Sequence, residues 1–215
     1  MGRIRIKVFT IVSVFLLITN AYAITRYVAT TGSDSNSCVT SQNINTPKQT
    51  IASALLCLVP GDTLYLRGGT YVEAINSDNQ TIPTGTSWNS PITIASYPGE
   101  TATLRPGFGV VINFNTYNSS YHIQYLIFDR LILDGIGGVH AVSFTANPAS
   151  FAIHHIRIQN SELKNSIGDG VDLGAINQVN GVNSHHNEWL NNDIHHSAHS
   201  YGFYIGGDEI GRAHV

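Results

Sequence analysis

The segment "IQNSELKNS" spans Ile158–Ser166, and "WLNNDIHHS" spans Trp189–Ser197. Laid on one another with a shift of 31 residues, Asn160 meets Asn191, Glu162 meets Asp193, Leu163 meets Ile194 and Ser166 meets Ser197. "FDRLILDG" (Phe128–Gly135) fits one unit earlier with a shift of 30. A second short segment recurs in the same frame: "AVSF" (Ala141–Phe144), "GVDL" (Gly170–Leu173) and "GFYI" (Gly202–Ile205), at intervals of 29 and 32. Each unit holds two or three short strands and no helix. Such a unit cannot bury an apolar face alone and must stack on its neighbours, so the pattern predicts a solenoid. Because the segments are β-rich, the solenoid should be a parallel β-helix with coils about 4.8 Å apart. Asn160 and Asn191, at matching turns one coil apart, suit a stacked asparagine ladder.

The chain ahead of the repeats reads differently. "MGRIRIK" followed by the apolar "VFTIVSVFLLI" and by "AYA" (Ala21–Ala23) has the form of a secretory signal peptide over residues 1–23. The apolar run is short for a membrane span. The expected mature chain is therefore exported and carries no membrane anchor. In "TPKQTIASALLCL", Thr46 suits a helix N-cap, Pro47 the first helical position and Gln49 the reciprocal capping place. Ile51, Leu55 and Leu58 fall on one face, and Pro60-Gly61 stops the helix. This predicts a helix from Pro47 to Leu58 within a cap of residues 24–60, closing the open end of coils that run from 61 to 209. Cys38 and Cys57 are the only cysteines, and in an exported chain the expected state is a disulfide between them.

At the other end, "EIGRAHV" (Glu209–Val215) back-translates to GAG ATC GGA AGA GCA CAC GTC, which matches a sequencing-adapter oligonucleotide in frame. The expectation is that residues 210–215 are not biological and that further C-terminal coils are missing. Charged residues are 12% of the chain and the formal net charge is −3. That balance points away from nucleic acid or an anionic membrane as partner. A monomer is expected.

Strand alternation sorts the recurring short segments. Val142, Phe144, Val171, Leu173 and Phe203 should point inward, leaving Ser143, Asp172 and Tyr204 in one outward column. Asp169 stands at the turn that enters the strand of Asp172. Two carboxylates three apart in "GDGVDL" (Gly168–Leu173) can clamp a calcium ion, contact a sugar, or simply turn a corner and face water. A polar column along a flat sheet is a place to hold an extended polysaccharide. Histidine pairs occur at 154–155, 185–186 and 195–196. The first two pairs are 31 residues apart and can stack flat on adjacent coils or, facing one another, bind a transition metal. His199 and Tyr204 on the last coil are candidates for acid and base chemistry on a bound sugar, with Lys164 or Arg157 from the preceding coil beside them. Trp189 aligns with inward Ile158 and reads as core, whereas Trp88 is a candidate for stacking on a sugar ring.

"GSDSNSC", "TPKQTIASAL", "PGDTLYLRGGTY" and "PITIASYPGE" together resemble the opening of secreted right-handed parallel β-helix proteins of the pectate-lyase-like superfamily. The resemblance covers nearly all of the mature chain and implies that fold, with an N-terminal helical cap. Around "GDGVDL" and "GFYIGG" (Gly202–Gly207) the chain resembles family 9 pectate lyases. In those enzymes a pattern like Asp-Asp-Gly-x-Asp holds calcium, and one like Gly-Phe-Lys-Leu-Gly-Gly carries a catalytic lysine. Asp169 and Asp172 match two of the acids, but Gly168 stands where the first would be and Tyr204 stands where the lysine would be. What the resemblance implies is β-elimination on an acidic polysaccharide, with calcium at Asp169 and Asp172. Ser143, Asp172 and Lys164 would contact substrate, and Tyr204 and His199 would transfer protons. The rival reading is a β-helix that binds a polysaccharide or a cell surface without cleaving it.

Overall fold

A computed structural model describes residues 23–116, 120–146, 151–174, 184–198, 201–206 and 213–214. Residues 1–22, where the signal peptide is expected, His199 and most of 207–215 lie outside the described residues. Three parallel sheets carry the chain. The first runs through β1 (Thr25–Val28), β2 (Thr63–Leu66), β5 (Ile92–Ser96), β8 (Ile123–Asp129), β11 (Ile153–Gln159), β14 (Glu188–Leu190) and β17 (Ala213–His214). The second holds β3 (Gly69–Tyr71), β6 (Ala102–Leu104), β9 (Leu131–Asp134), β12 (Glu162–Lys164) and β15 (Asp193–His195). The third holds β4 (Ile75–Asn76), β7 (Val110–Asn115), β10 (His140–Thr145), β13 (Val171–Gly174) and β16 (Phe203–Gly206). From β2 onward each circuit visits the three sheets in turn, and strands pair in parallel with their counterparts on the neighbouring circuit. The chain is a parallel β-helix, and the general rule for parallel crossovers is a right-handed sense.

The register follows the repeat. Glu162 pairs with Asp193 and Leu163 with Ile194, at the shift of 31. Leu163 pairs with Leu133 at the shift of 30. Val142, Val171 and Phe203 align through the 29- and 32-residue intervals. Inside the coils apolar side chains stack in the same order. Phe114 lies on Phe144 with ring centroids 5.2 Å apart and planes at 12°. Across the core Trp189, in register with Ile158 on the first sheet, lies 6.1 Å from Phe144 and is only 6% exposed, a core residue as its repeat position predicts. Each such ring contributes roughly 1.5–3 kcal/mol by leaving water.

Between the first and second sheets the backbone turns through a left-handed residue on three successive coils: Arg130 (φ 55°), Asn160 (φ 51°) and Asn191 (φ 51°). Asparagine tolerates this conformation better than most residues. The Asn191 amide donates to the Asn160 side-chain oxygen at 2.9 Å, and the Asn160 amide donates to Asp129 at 2.8 Å. The predicted ladder is present.

The helix is shorter than its capping signals imply. It spans Ile51–Leu55 as α1, with Thr50 as N-cap accepting from the Ser53 N–H at 3.1 Å. Tertiary pairing overrides the local signal, because Lys48 bridges in parallel to Val28 and its N–H donates to the Tyr27 carbonyl at 3.0 Å. Residues 47–48 are thereby held along β1. Asp34 accepts the N–H groups of Gln49 and Thr50, both at 2.9 Å, and Glu73 accepts those of Ile51 and Ala52, both at 3.2 Å. Thr46 instead donates its hydroxyl to the Thr40 carbonyl at 2.8 Å. Ile51, Ala54 and Leu55 pack into the same core as Val28 and Leu64. Cys38 and Cys57 form a disulfide with Cα atoms 5.3 Å apart. No helix among the described residues is long and apolar enough to cross a membrane.

Candidate functional site

The outer face of the third sheet carries the column expected from alternation, and it is longer than the sequence reading drew it. Ser143 pairs with Asp172, and Asp172 with Tyr204. In the other direction Ser143 pairs with Asn113, and Asn113 with Asn76. Five coils thus present Asn76, Asn113, Ser143, Asp172 and Tyr204 in line, about 4.8 Å apart. Phe114, Phe144 and Leu173, the next residues along three of these strands, point into the core. Tyr204 is 43% exposed and lies 5.9 Å from the Tyr201 ring. Ser143, by contrast, is only 7% exposed, so its hydroxyl is sunk in the face rather than raised from it.

At the lower end of the column the Asn113 amide donates to Asn76 at 3.1 Å and to the Asp78 carboxylate at 2.8 Å. A polar depression of about 390 Å3 opens beside these residues, lined by Ser77, Asp78, Gln80, Thr81, Asn115 and Tyr121 among others. Sequence patterning gave no hint of it, since β4 is only two residues long and its pairing with β7 crosses a 37-residue interval.

Electrostatic tension gathers at "GDGVDL". Burial pushes the Asp172 carboxyl above its ordinary range; His140 pulls it down and the neighbouring charge of Asp169 pushes it up again. The His140 Nε2 lies 3.7 Å from Asp172, and the His140 Nδ1 is 3.1 Å from the Asp169 carbonyl oxygen. Asp169 Oδ1 is buried with no hydrogen-bond partner. A buried carboxylate oxygen without a donor is costly and calls for a positive partner. His140 escaped the sequence reading, although the signal was there. The shift of 29 that sets Ser143 against Asp172 also sets His140 against Asp169.

The other candidates lie elsewhere. Lys164 sits on β12 in the second sheet, where its ammonium donates to Glu162 at 2.8 Å, and Glu162 also meets His195 at 3.0 Å. Arg157 is on β11 in the first sheet, bonded to Glu188 at 2.7 Å with its guanidinium 4.4 Å above the Trp88 ring. The structure therefore does not bring Lys164 or Arg157 to the third-sheet column, because a coil of three sheets turns these strands to separate faces. Trp88 is engaged in the same way, edge-on to Tyr125 at 5.5 Å.

No family model matches this sequence, and no curated protein matches it. Among solved structures, the crystal structure of pectate lyase Pel9A aligns over 80% of this chain and 48% of its own, with 17% identity and a TM-score of 0.47. A rhamnogalacturonan lyase aligns over 79% of this chain and 51% of its own, with 14% identity and a TM-score of 0.34. The chain spans about half the length of each. The parallel β-helix rests on the strand pairings of the chain itself, and these alignments carry neither substrate nor activity to it.

Proposed function

We propose that this is an exported, monomeric, carbohydrate-active β-helix protein that holds an acidic polysaccharide along the third-sheet column and cleaves it as a polysaccharide lyase. The observation that carries the reading is the stacked line Asn76–Asn113–Ser143–Asp172–Tyr204, with the orphaned Asp169 oxygen and His140 beside it. Amide, hydroxyl and phenol groups spaced one coil apart suit the repeating hydroxyls of an extended chain of sugars. The Cys38–Cys57 disulfide accords with an oxidising setting outside the cell.

The column itself contains no lysine or arginine, so a uronate carboxylate beside Asp169 and Asp172 needs a cation between the like charges. Two carboxylates and the Ser143 hydroxyl form an oxygen donor set that fits calcium, and the unpartnered Asp169 oxygen is a ligand in want of a charge. Calcium held there would neutralise the uronate and make its C5 proton more acidic. In β-elimination a base on the protein takes that proton, the C4–C5 double bond forms, and the glycosidic oxygen leaves with a proton from an acid. Tyr204 and His199 remain the proposed proton carriers. His140 joins them, being already oriented by the Asp169 carbonyl and facing Asp172.

The second reading is a polysaccharide-binding β-helix without catalysis, favoured by the same absence of lysine and arginine from the column. Incubation with polygalacturonate or alginate, with and without calcium, separates the two. Ultraviolet absorbance of an unsaturated product supports the lyase. Retention on the immobilised polymer with no product under any condition supports the binder, and neither retention nor product removes both.

A further inference from the structure

The histidine pairs of the first sheet form a cluster on a different face, and the acidic-polymer reading makes no use of it. His154 and His155 both leave the sheet on its outer side because His155 is left-handed, with φ of 56°. The same break in alternation recurs one coil on at His186, with φ of 52°, and one coil back at Tyr125, with φ of 51°. Within a coil the two imidazoles face each other through Nδ1, at 2.6 Å for His154 and His155 and at 2.7 Å for His185 and His186. Between coils the rings lie flat, His154 on His185 at 4.8 Å and His155 on His186 at 5.1 Å, both pairs at 4°. One ring nitrogen from each of His154, His155 and His185 lies within 4.8 Å of the other two. Among the described residues this is the one such grouping.

We propose that His154, His155 and His185 bind a divalent transition metal of the zinc and copper class. Imidazole nitrogen is a preferred donor for these ions and a poor one for calcium or magnesium. Zinc–nitrogen bonds of about 2.0–2.1 Å place two ligand nitrogens roughly 3.3 Å apart on one tetrahedral ion. The facing pair, at 2.6 Å, stands about 0.7 Å inside that separation, and all three nitrogens lie within 4.8 Å of one another. Binding one ion therefore requires the facing pair to open and His185 to tilt from its stack. The nearest carboxylate on these strands, Glu188, is taken by Arg157 at 2.6 Å, which leaves nitrogen as the available donor type. An aromatic collar holds the ligands in place. Tyr125 stacks on His155 at 4.6 Å, Trp88 meets the same ring edge-on at 5.9 Å, and His122 lies 5.6 Å from His154.

The test uses the untagged full chain at neutral pH, titrated with zinc by calorimetry and loaded with copper for electron paramagnetic resonance. The expected result is one saturable zinc site undisturbed by excess calcium, and a copper spectrum split by three nitrogens. The pair His195 and His196 also faces through Nδ1, and it serves as the internal control. The double variant H195Q/H196Q should retain the site. H154Q/H185Q should weaken zinc by at least about tenfold, since even supporting residues of a metal site cost about 10–100-fold when changed. Parental zinc affinity in H154Q/H185Q would overturn the proposal, as would the absence of saturable binding in the parent. Circular dichroism reports whether that variant folds. If it does not, the copper spectrum of H195Q/H196Q decides: three nitrogens uphold the site and two or fewer refute it.

Discussion

The Asn191 side-chain amide donates to the side-chain oxygen of Asn160 one coil below, at 2.9 Å, and both backbones are left-handed with φ of 51°. Asn160 also donates to Asp129 at 2.8 Å, so it is the middle rung of a ladder that ties three coils at one corner. Two effects meet at this residue, backbone tolerance and side-chain bonding. They predict different outcomes for two substitutions. N160A loses both and should cost about 2 kcal/mol in urea denaturation. N160G keeps the backbone freedom and should recover about 1 kcal/mol of that loss. Equal midpoints for the two variants would show that the left-handed turn carries no strain.

The disulfide closes a loop of 19 residues over the first strand and the short helix. Loop-closure entropy alone gives about 3 kcal/mol for a loop of this size. C38S/C57S should therefore unfold at distinctly lower urea, and the exchange of amide hydrogens in α1 should accelerate more than that in β8. Loss of protection spread evenly over both elements would mean that cap and coils unfold as one unit.

Repeat shifts of 29 to 32 residues were enough to read the stacking register, because a parallel coil returns each residue to its own counterpart. The outward column of Ser143, Asp172 and Tyr204 followed from the same shifts. Three things did not follow. The helix start moved from Thr46 to Thr50 because Lys48 found a strand partner in Val28, a long-range pairing that local capping residues do not reveal. The outward projection of both residues in the first two histidine pairs depends on left-handed His155 and His186, a conformation that histidine adopts more readily than most residues but too seldom for the sequence to signal it. Lys164 was grouped with the column because adjacency along the chain says nothing about which of three sheets a strand joins.

Asp134 ties the second sheet together. Its side chain is 1% exposed and accepts from Arg105 at 2.6 Å, from the Asn165 amide at 3.0 Å and from the Ile136 N–H at 3.1 Å. Burial raises its pKa, but the bonds from Asn165, Arg105 and Ile136 and the charge of Arg105 outweigh it and hold the carboxyl below its ordinary 3.8. A depressed folded value stabilises the protein above the unfolded pKa, and that contribution is lost as pH falls from about 4 through the folded value. D134N should cost about 2 kcal/mol at pH 7, less than the roughly 3–5 kcal/mol of a fully buried pair because Arg105 is 46% exposed. The same variant should flatten the acid limb of the stability profile. An acid limb of parental steepness in D134N would place the responsible carboxylate elsewhere.

Asp169 and Asp172 should behave in the opposite sense, as residues that cost the fold something in the absence of a cation. Asp172 is pushed above its ordinary range first by burial and then, against the pull of His140, by the charge of Asp169, whose own Oδ1 is buried without a donor. A raised folded pKa means that the ionised carboxylate destabilises the native state at neutral pH. With calcium chelated, D172N should therefore raise stability by about 1 kcal/mol rather than lower it. Adding millimolar calcium should raise the melting temperature of the parent and leave that of D172N unchanged, by linkage of binding to folding. On the proposed function, the same variant should lose at least about a hundredfold in release of unsaturated product. A D172N protein that is less stable than the parent under chelation would mark Asp172 as a structural residue of β13. Calcium stabilisation that survives in D172N would move the cation away from this column.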